Sequence, residues 1–216
     1  MAEVYEYRKI RVGSTGWEPV AKAVHGTESA QVREVGASIY GMWRGVIGAG
    51  SDEGVLMSAW PGLETLAQHG AATLGNIEGV IEHSHFARVT ATVRPPDATP
   101  PNEPGVYAHR WFSLQEVNWP EFLQLSEMRI WPYIEGFDCR IVGLWRNVDV
   151  DPPAARALLI TRYPSMTVWE QTRTANEEPP PGASPSLYSS ARSAILRRAE
   201  LTEWTIVRIF RLVGAA

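Results

Sequence analysis

At 216 residues the chain is long enough for one large domain or two of about 100 residues, and 44% hydrophobic against 20% charged residues excludes wholesale disorder. Twenty Lys and Arg against 24 Asp and Glu give a formal net charge of −4, with no basic run to bind phosphates by counterion release, so nucleic acid is not an expected partner. The single cysteine, Cys139, makes neither an internal disulfide nor a Cys-x-x-Cys site; the charged opening 1–12 is no secretory signal, and no stretch approaches the ~20 apolar residues of a membrane span, so a cytoplasmic protein is expected.

Residues 4–12 alternate, with Val4, Ile10 and Val12 on one face and Tyr5, Tyr7, Lys9 and Arg11 on the other, which is strand period. A helix follows. Strands are then expected at 39–46 and 54–60, joined across Gly48-Ala49-Gly50, which reads as a hairpin because it lacks the strand-to-helix setting of a phosphate cradle. A helix near 63–74 leads to a strand at 86–93. Beyond a linker at 99–105, alternation resumes: Val106, Ala108, Phe112 and Leu114 share one face, Tyr107, His109, Trp111 and Ser113 the other. Residues 118–134 carry Phe122, Leu125, Met128 and Ile130 at roughly helical spacing, with Asn118 as N-cap and Pro120 in the first turn. Strands at 141–148 and 157–163, helices at 165–173 and 186–201, and a strand at 204–212 complete the chain. A Pro-rich insertion at 176–186 separates the last two helices and is expected as an exposed loop.

The order βαββαβ is thus read twice. Tyr5 and Tyr107, Trp17 and Trp119, Gly41 and Gly143, and Trp43 and Trp145 are each 102 positions apart, which duplication of one unit explains. The offset grows to 103 at Trp60 and Tyr163 and to 117 at 88–94 and 205–211, which places extra residues in the second half. The expected fold class is α+β: tandem ferredoxin-like repeats, 1–98 and 106–216, each an antiparallel sheet with its helices on one face. Two bare, aromatic sheet faces would be too apolar to leave in water, so the sheets are expected to close into a barrel-type core.

The opening Tyr-x-x-Arg strands (Tyr5 with Arg8, Tyr107 with Arg110), the Val-Gly-Leu-Trp strand at Val142 to Trp145 and the Arg-Tyr-Pro-Ser segment at Arg162 to Ser165, leading to Trp169 and Arg173, resemble NIPSNAP-type proteins of the dimeric α/β-barrel superfamily. The resemblance implies paired ferredoxin-like units, a barrel cavity and, often, a homodimer. It implies no single reaction, because the superfamily spans cofactor-free monooxygenases, small-ring isomerases, haem enzymes and proteins without known activity. The first half departs from the pattern, with Ala-Trp-Pro-Gly in place of Arg-Tyr-Pro-Ser.

Strand parity points Tyr5, Tyr7, Lys9, Trp43, Tyr107, His109, Trp111 and Trp145 into the barrel, where they line a small-molecule cavity or simply fill the space. In the cavity reading His109 is the acid/base near neutral pH, Tyr7 and Tyr107 polarise the substrate, and Tyr5, Trp43, Trp111, Trp145 and Lys9 bind it. No dissociable cofactor or metal is expected: His83 and His85 are two potential ligands where a metal site needs three or four. The expected ligand is a small apolar organic molecule, bound by a cofactor-independent enzyme, by a non-catalytic binding or assembly protein, or by a haem enzyme of the same superfamily. Arg8, Arg44, Arg110 and Arg146 recur in register and face away from the aromatics, where ion pairs with Glu121, Glu127 or nearby carboxylates suit them better than a substrate clamp. Arg140 beside Cys139 would lower the thiol pKa, although no base stands near it. The insertion reads as a spacer or as a lid over a barrel mouth.

Overall fold

The computed structural model describes residues 4–173 and 178–214; positions 176 and 177 of the expected insertion lie outside them. The first half runs β1 (Val4–Val12), α1 (Trp17–Ala23), a π-helical turn (Val24–Glu28), α2 (Ser29–Glu34), β2 (Ser38–Ile47), β3 (Glu53–Trp60), α3 (Leu63–Leu74) and β4 (Val80–Ala91). The second runs β5 (Val106–Gln115), α4 (Trp119–Leu125), a π-helical turn (Ser126–Ile130), α5 (Trp131–Glu135), β6 (Arg140–Asn147), β7 (Ala154–Tyr163), α6 (Met166–Gln171), α7 (Pro185–Glu200) and β8 (Thr202–Leu212).

All eight strands form one closed barrel, in the order β1-β3-β2-β8-β5-β7-β6-β4, and every neighbouring pair is antiparallel. Closure comes from edge pairing. Trp43 stands opposite Leu212 where β2 meets β8, and Ala91 opposite Trp145 where β4 meets β6, so one end of each outer strand satisfies its backbone groups on the other half. β4 begins at Val80, earlier than its sequence pattern suggests, because β1 extends to Val12 and pairs with it there. α6 ends at Gln171, short of the expected 173.

Alternation splits each strand between two cores. Val4, Ile10 and Val12 pack outward with Val20, Leu66 and Leu74 under the first set of helices; Val106, Phe112 and Leu114 do so with Phe122, Ile134 and Ala194 under the second. The opposite parity points into the barrel. Gly41 and Gly143 make this interior possible, since a Cβ at either would overlap the indole of Trp43 or Trp145 two residues on. Among the described residues no helix is long and apolar enough to cross a membrane.

Candidate functional site

The aromatic residues selected by strand parity meet inside the barrel. Tyr5, Tyr7, Trp43, Tyr107, Trp111 and Trp145 pack there with Met57, Leu158 and Phe210, and none of the six is more than 7% exposed. Tyr5 lies edge-on to Trp145 at 5.7 Å, Trp43 to His109 at 4.9 Å, and Phe210 tilts against His109 at 4.5 Å. Such pairs each add about 0.5–1.5 kcal/mol beyond area burial. Over this stretch the side chains fill the barrel.

His109 is 1% exposed and shares a 2.9 Å hydrogen bond with Tyr7 through Nδ1. Burial alone pushes its pKa down to about 3, so the imidazole is neutral near pH 7. That overturns the expectation of an unshifted acid/base, because a base matched to neutral pH needs a solvated or carboxylate-paired ring. Burial likewise raises the Tyr7 phenol, with Arg208 opposing. Tyr107 does not join this pair: its hydroxyl donates to the Glu103 carbonyl at 2.6 Å in the linker, and burial, reinforced by Glu103, pushes its pKa up to about 12. Tyr5 donates at 3.5 Å to the Asp97 carbonyl. His109 Nε2, Trp43 Nε1 and Trp145 Nε1 are buried without a hydrogen-bond partner, an arrangement that costs about 1–3 kcal/mol per group.

One end of the barrel is open. Trp111 stands opposite Ile206 and Ser113 opposite Trp204 across β5 and β8, so both β8 side chains share the inward face, yet Trp204 is 43%, Ile206 47% and Phe86 42% exposed. Lys9 sits at this mouth with Nζ 4.0 Å above the Phe86 ring. Beside it a cavity of about 200 Å³ is lined by Lys9, Glu53, His83, Arg208 and Phe210. Burial, then Arg208, lowers the Lys9 pKa. Phe210 touches His109 as well, so the mouth lies one ring away from the Tyr7–His109 pair. His83 is exposed, Glu82 pairs with Arg11 at 3.4 Å, and the His85 side chain lies outside the described residues. Among the described residues no three His, Cys, Asp or Glu side chains gather to hold a metal.

A different cavity, of about 320 Å³, lies between the outer face of β5 and β7 and the helices of the second half. Arg110, Arg173 and Arg198 line it with Tyr163, and Ile130, Leu159 and Ile195 supply apolar wall. The ion pair expected of Arg110 is not found among the described residues, and Arg198 stands outside the site residues expected from sequence. Of the other recurrent arginines, Arg8 pairs with Glu6 at 2.9 Å and Arg146 with Glu116, while Glu121 is engaged by Arg197. The Cys139 thiol is pushed up to about 12 by burial, which outweighs Arg162; the expected activation by Arg140 is not found. Pro179, Pro180 and Pro181 share a groove with Thr167, Glu170 and Arg173, on the helix side and away from the mouth.

A haem fits neither place. His109 is tied to Tyr7 in a filled interior, and the helix-side cavity, at the small end of ligand pockets, which begin near ~300 Å³, offers as an axial ligand only Tyr163, whose phenol burial holds protonated.

An antiparallel eight-stranded barrel with helices packed around it is the dimeric α/β-barrel fold. Solved structures of that fold superpose on nearly the whole chain. A protein from Fusobacterium nucleatum described as a candidate monooxygenase matches with TM-score 0.59 at 8% identity, covering 99% of this chain and 93% of its own. A dye-decolorizing peroxidase from Bacteroides thetaiotaomicron matches with TM-score 0.58 at 9% identity (100% and 94% covered), and an anthrone oxidase-like protein with 0.56 at 11% (99% and 92%). No known protein family and no curated protein matches the sequence.

Proposed function

We propose that the chain is a small-molecule-binding protein, NIPSNAP-like in its Tyr-x-x-Arg, Val-Gly-Leu-Trp and Arg-Tyr-Pro-Ser segments and built from a duplicated ferredoxin-like unit. The duplication reading is supported by the two π-helical turns, which begin at Val24 and Ser126 and so keep the 102-residue offset. Its ligand is a small, largely apolar organic molecule seated in the open barrel mouth. The observation that carries this reading is that Phe86, Trp204 and Ile206 stand half-exposed at one end of the barrel, Phe86 packing at 5.2 Å on Trp111, which in turn meets Tyr7 at 5.5 Å. Exposed apolar surface gathered in a concavity is where an apolar ligand gains most from leaving water.

In this reading Trp111 and Phe86 are the walls, the Tyr7–His109 pair is the polar floor, and Tyr5, Trp43, Tyr107 and Trp145 back it from below. Binding without proton transfer suits the site better than acid–base turnover, because His109 stays neutral. A second reading, turnover without a dissociable cofactor, is favoured by Lys9, whose lowered pKa and position at the mouth suit an amine nucleophile. Titration with the neutral fluorophore 1-aminoanthracene tests the site. Saturable binding should weaken at least tenfold in Ile206→Arg, which sets a charge in the mouth; undiminished binding in that variant would sink the reading.

A further inference from the structure

We propose a second ligand site, independent of the mouth: a pocket under the helices of the second half that takes a small organic carboxylate, its anionic head held by Arg110, Arg173 and Arg198 and its apolar body by Ile130, Leu159 and Ile195. The three arginines line one cavity of about 320 Å³, Arg173 from its exposed rim, and no carboxylate of the described residues lines it. What holds each arginine is not an anion. Arg198 donates to Ser126 Oγ at 3.1 Å and lies 5.0 Å from the Phe112 ring centroid; Arg173 stacks 4.9 Å from Trp169; Arg110 makes no hydrogen bond or ion pair among the described residues.

Charges of one sign drawn out of water and toward each other are unfavourable unless something neutralises them. The two shielded members respond accordingly: burial, then Arg110, pushes the Arg198 pKa down to about 9, and burial, then Arg173, pushes that of Arg110 down to about 10. The equivalent place in the first half is neutralised from within. Arg8 is the counterpart of Arg110 at 102 residues, and its partner Glu6 corresponds at the same offset to Ala108, which lines the cavity. The second half therefore keeps the cation and lacks the acid, and the missing acid side chain leaves room beside the guanidinium. Planar guanidinium forks match a carboxylate bidentately, and isoleucine and leucine walls would reject a bare hydrated ion in favour of one with a hydrocarbon body.

The test is the thermal unfolding midpoint of the full chain with octanoate, octanol or inorganic phosphate. Octanoate should raise the midpoint in a saturable manner, and octanol and phosphate should raise it far less. Ala108→Glu, which restores the first-half arrangement, should weaken the octanoate response at least tenfold while the ligand-free midpoint holds or rises. Arg110→Met should weaken it similarly without lowering the ligand-free midpoint, since it removes an uncompensated charge. No octanoate shift in the unmodified chain, an equal shift from octanol or phosphate, or an undiminished response in both variants would each overturn the proposal. So would a ligand-free Arg110→Met protein that loses stability, because Arg110 would then be a structural clasp.

Discussion

Arg8 and Arg110 occupy corresponding places on β1 and β5, both turned toward the helices, and their surroundings differ sharply. Arg8 donates through Nη2 to both carboxylate oxygens of Glu6, at 3.0 and 2.9 Å, and through Nη1 to the Leu74 carbonyl at 2.6 Å; only its Nε stays unpartnered. It ties the sheet to the end of α3. Arg110 has Ala108 where Arg8 has Glu6, and a cavity where Arg8 has a helix terminus. One residue type on one strand position is a fastener in one half and a receptor group in the other, and the side chain two residues earlier decides which.

The largest expected effect breaks or keeps this contrast directly. Arg8→Met removes the arginine of a buried ion pair, Glu6 being 5% exposed, and should lose about 3–5 kcal/mol in urea denaturation, the usual result of removing one member of such a pair. Arg110→Met should hold or gain stability, since it removes an uncompensated charge. Equal losses would erase the distinction between the halves.

Tyr7 and His109 are also 102 residues apart, and here the halves meet across the barrel. His109 has a folded-state pKa near 3 against an ordinary 6.5, so between those values the unfolded chain binds the extra proton and stability rises with pH. Acidifying from pH 6.5 to about pH 4.5 should remove about 2–3 kcal/mol on this account. The double variant Tyr7→Phe/His109→Phe, compared by denaturation at both pH values, should lack that component. An unchanged pH slope would mean that the ring is not held neutral.

A smaller asymmetry is expected at the paired glycines. The three atoms nearest a Cβ at Gly41 all belong to the Trp43 ring, whereas one at Gly143 meets Trp145 and also Pro95 at 2.7 Å. Both alanine variants overpack the interior, at about 1–3 kcal/mol, and Gly143→Ala should give the lower thermal midpoint. The reverse order would show that Pro95 yields.

Much of this was written in the chain. Residue alternation in β1 and β5 separates barrel-facing from helix-facing side chains without knowledge of the fold, and the glycine two residues before each tryptophan marks where the indole lies back over its own strand. Depth was not legible. Nothing local to His109 distinguishes an imidazole at a wet cavity wall from one sealed under Trp43 and Phe210, and that difference moves its pKa by several units. The β2–β8 and β4–β6 pairings also escape a reading by halves, since each joins strands far apart in sequence. The arginine pocket had a signal in the sequence, the exchange of Glu6 for Ala108 beside a retained arginine, but its meaning depended on knowing that both arginines turn inward beneath helices.

Closure of the barrel carries a consequence for how copies of this chain can meet. The two seams are short, four residue pairs between β2 and β8 and three between β4 and β6, so β4 before Arg88 and β8 before Ile209 are paired on one side only and are the places where strand addition, the common route to runaway β-aggregation, finds an edge. Because the seams join opposite halves, prising either seam open would expose further unpaired edges on both halves at once, and the hazard would grow in a sprung barrel.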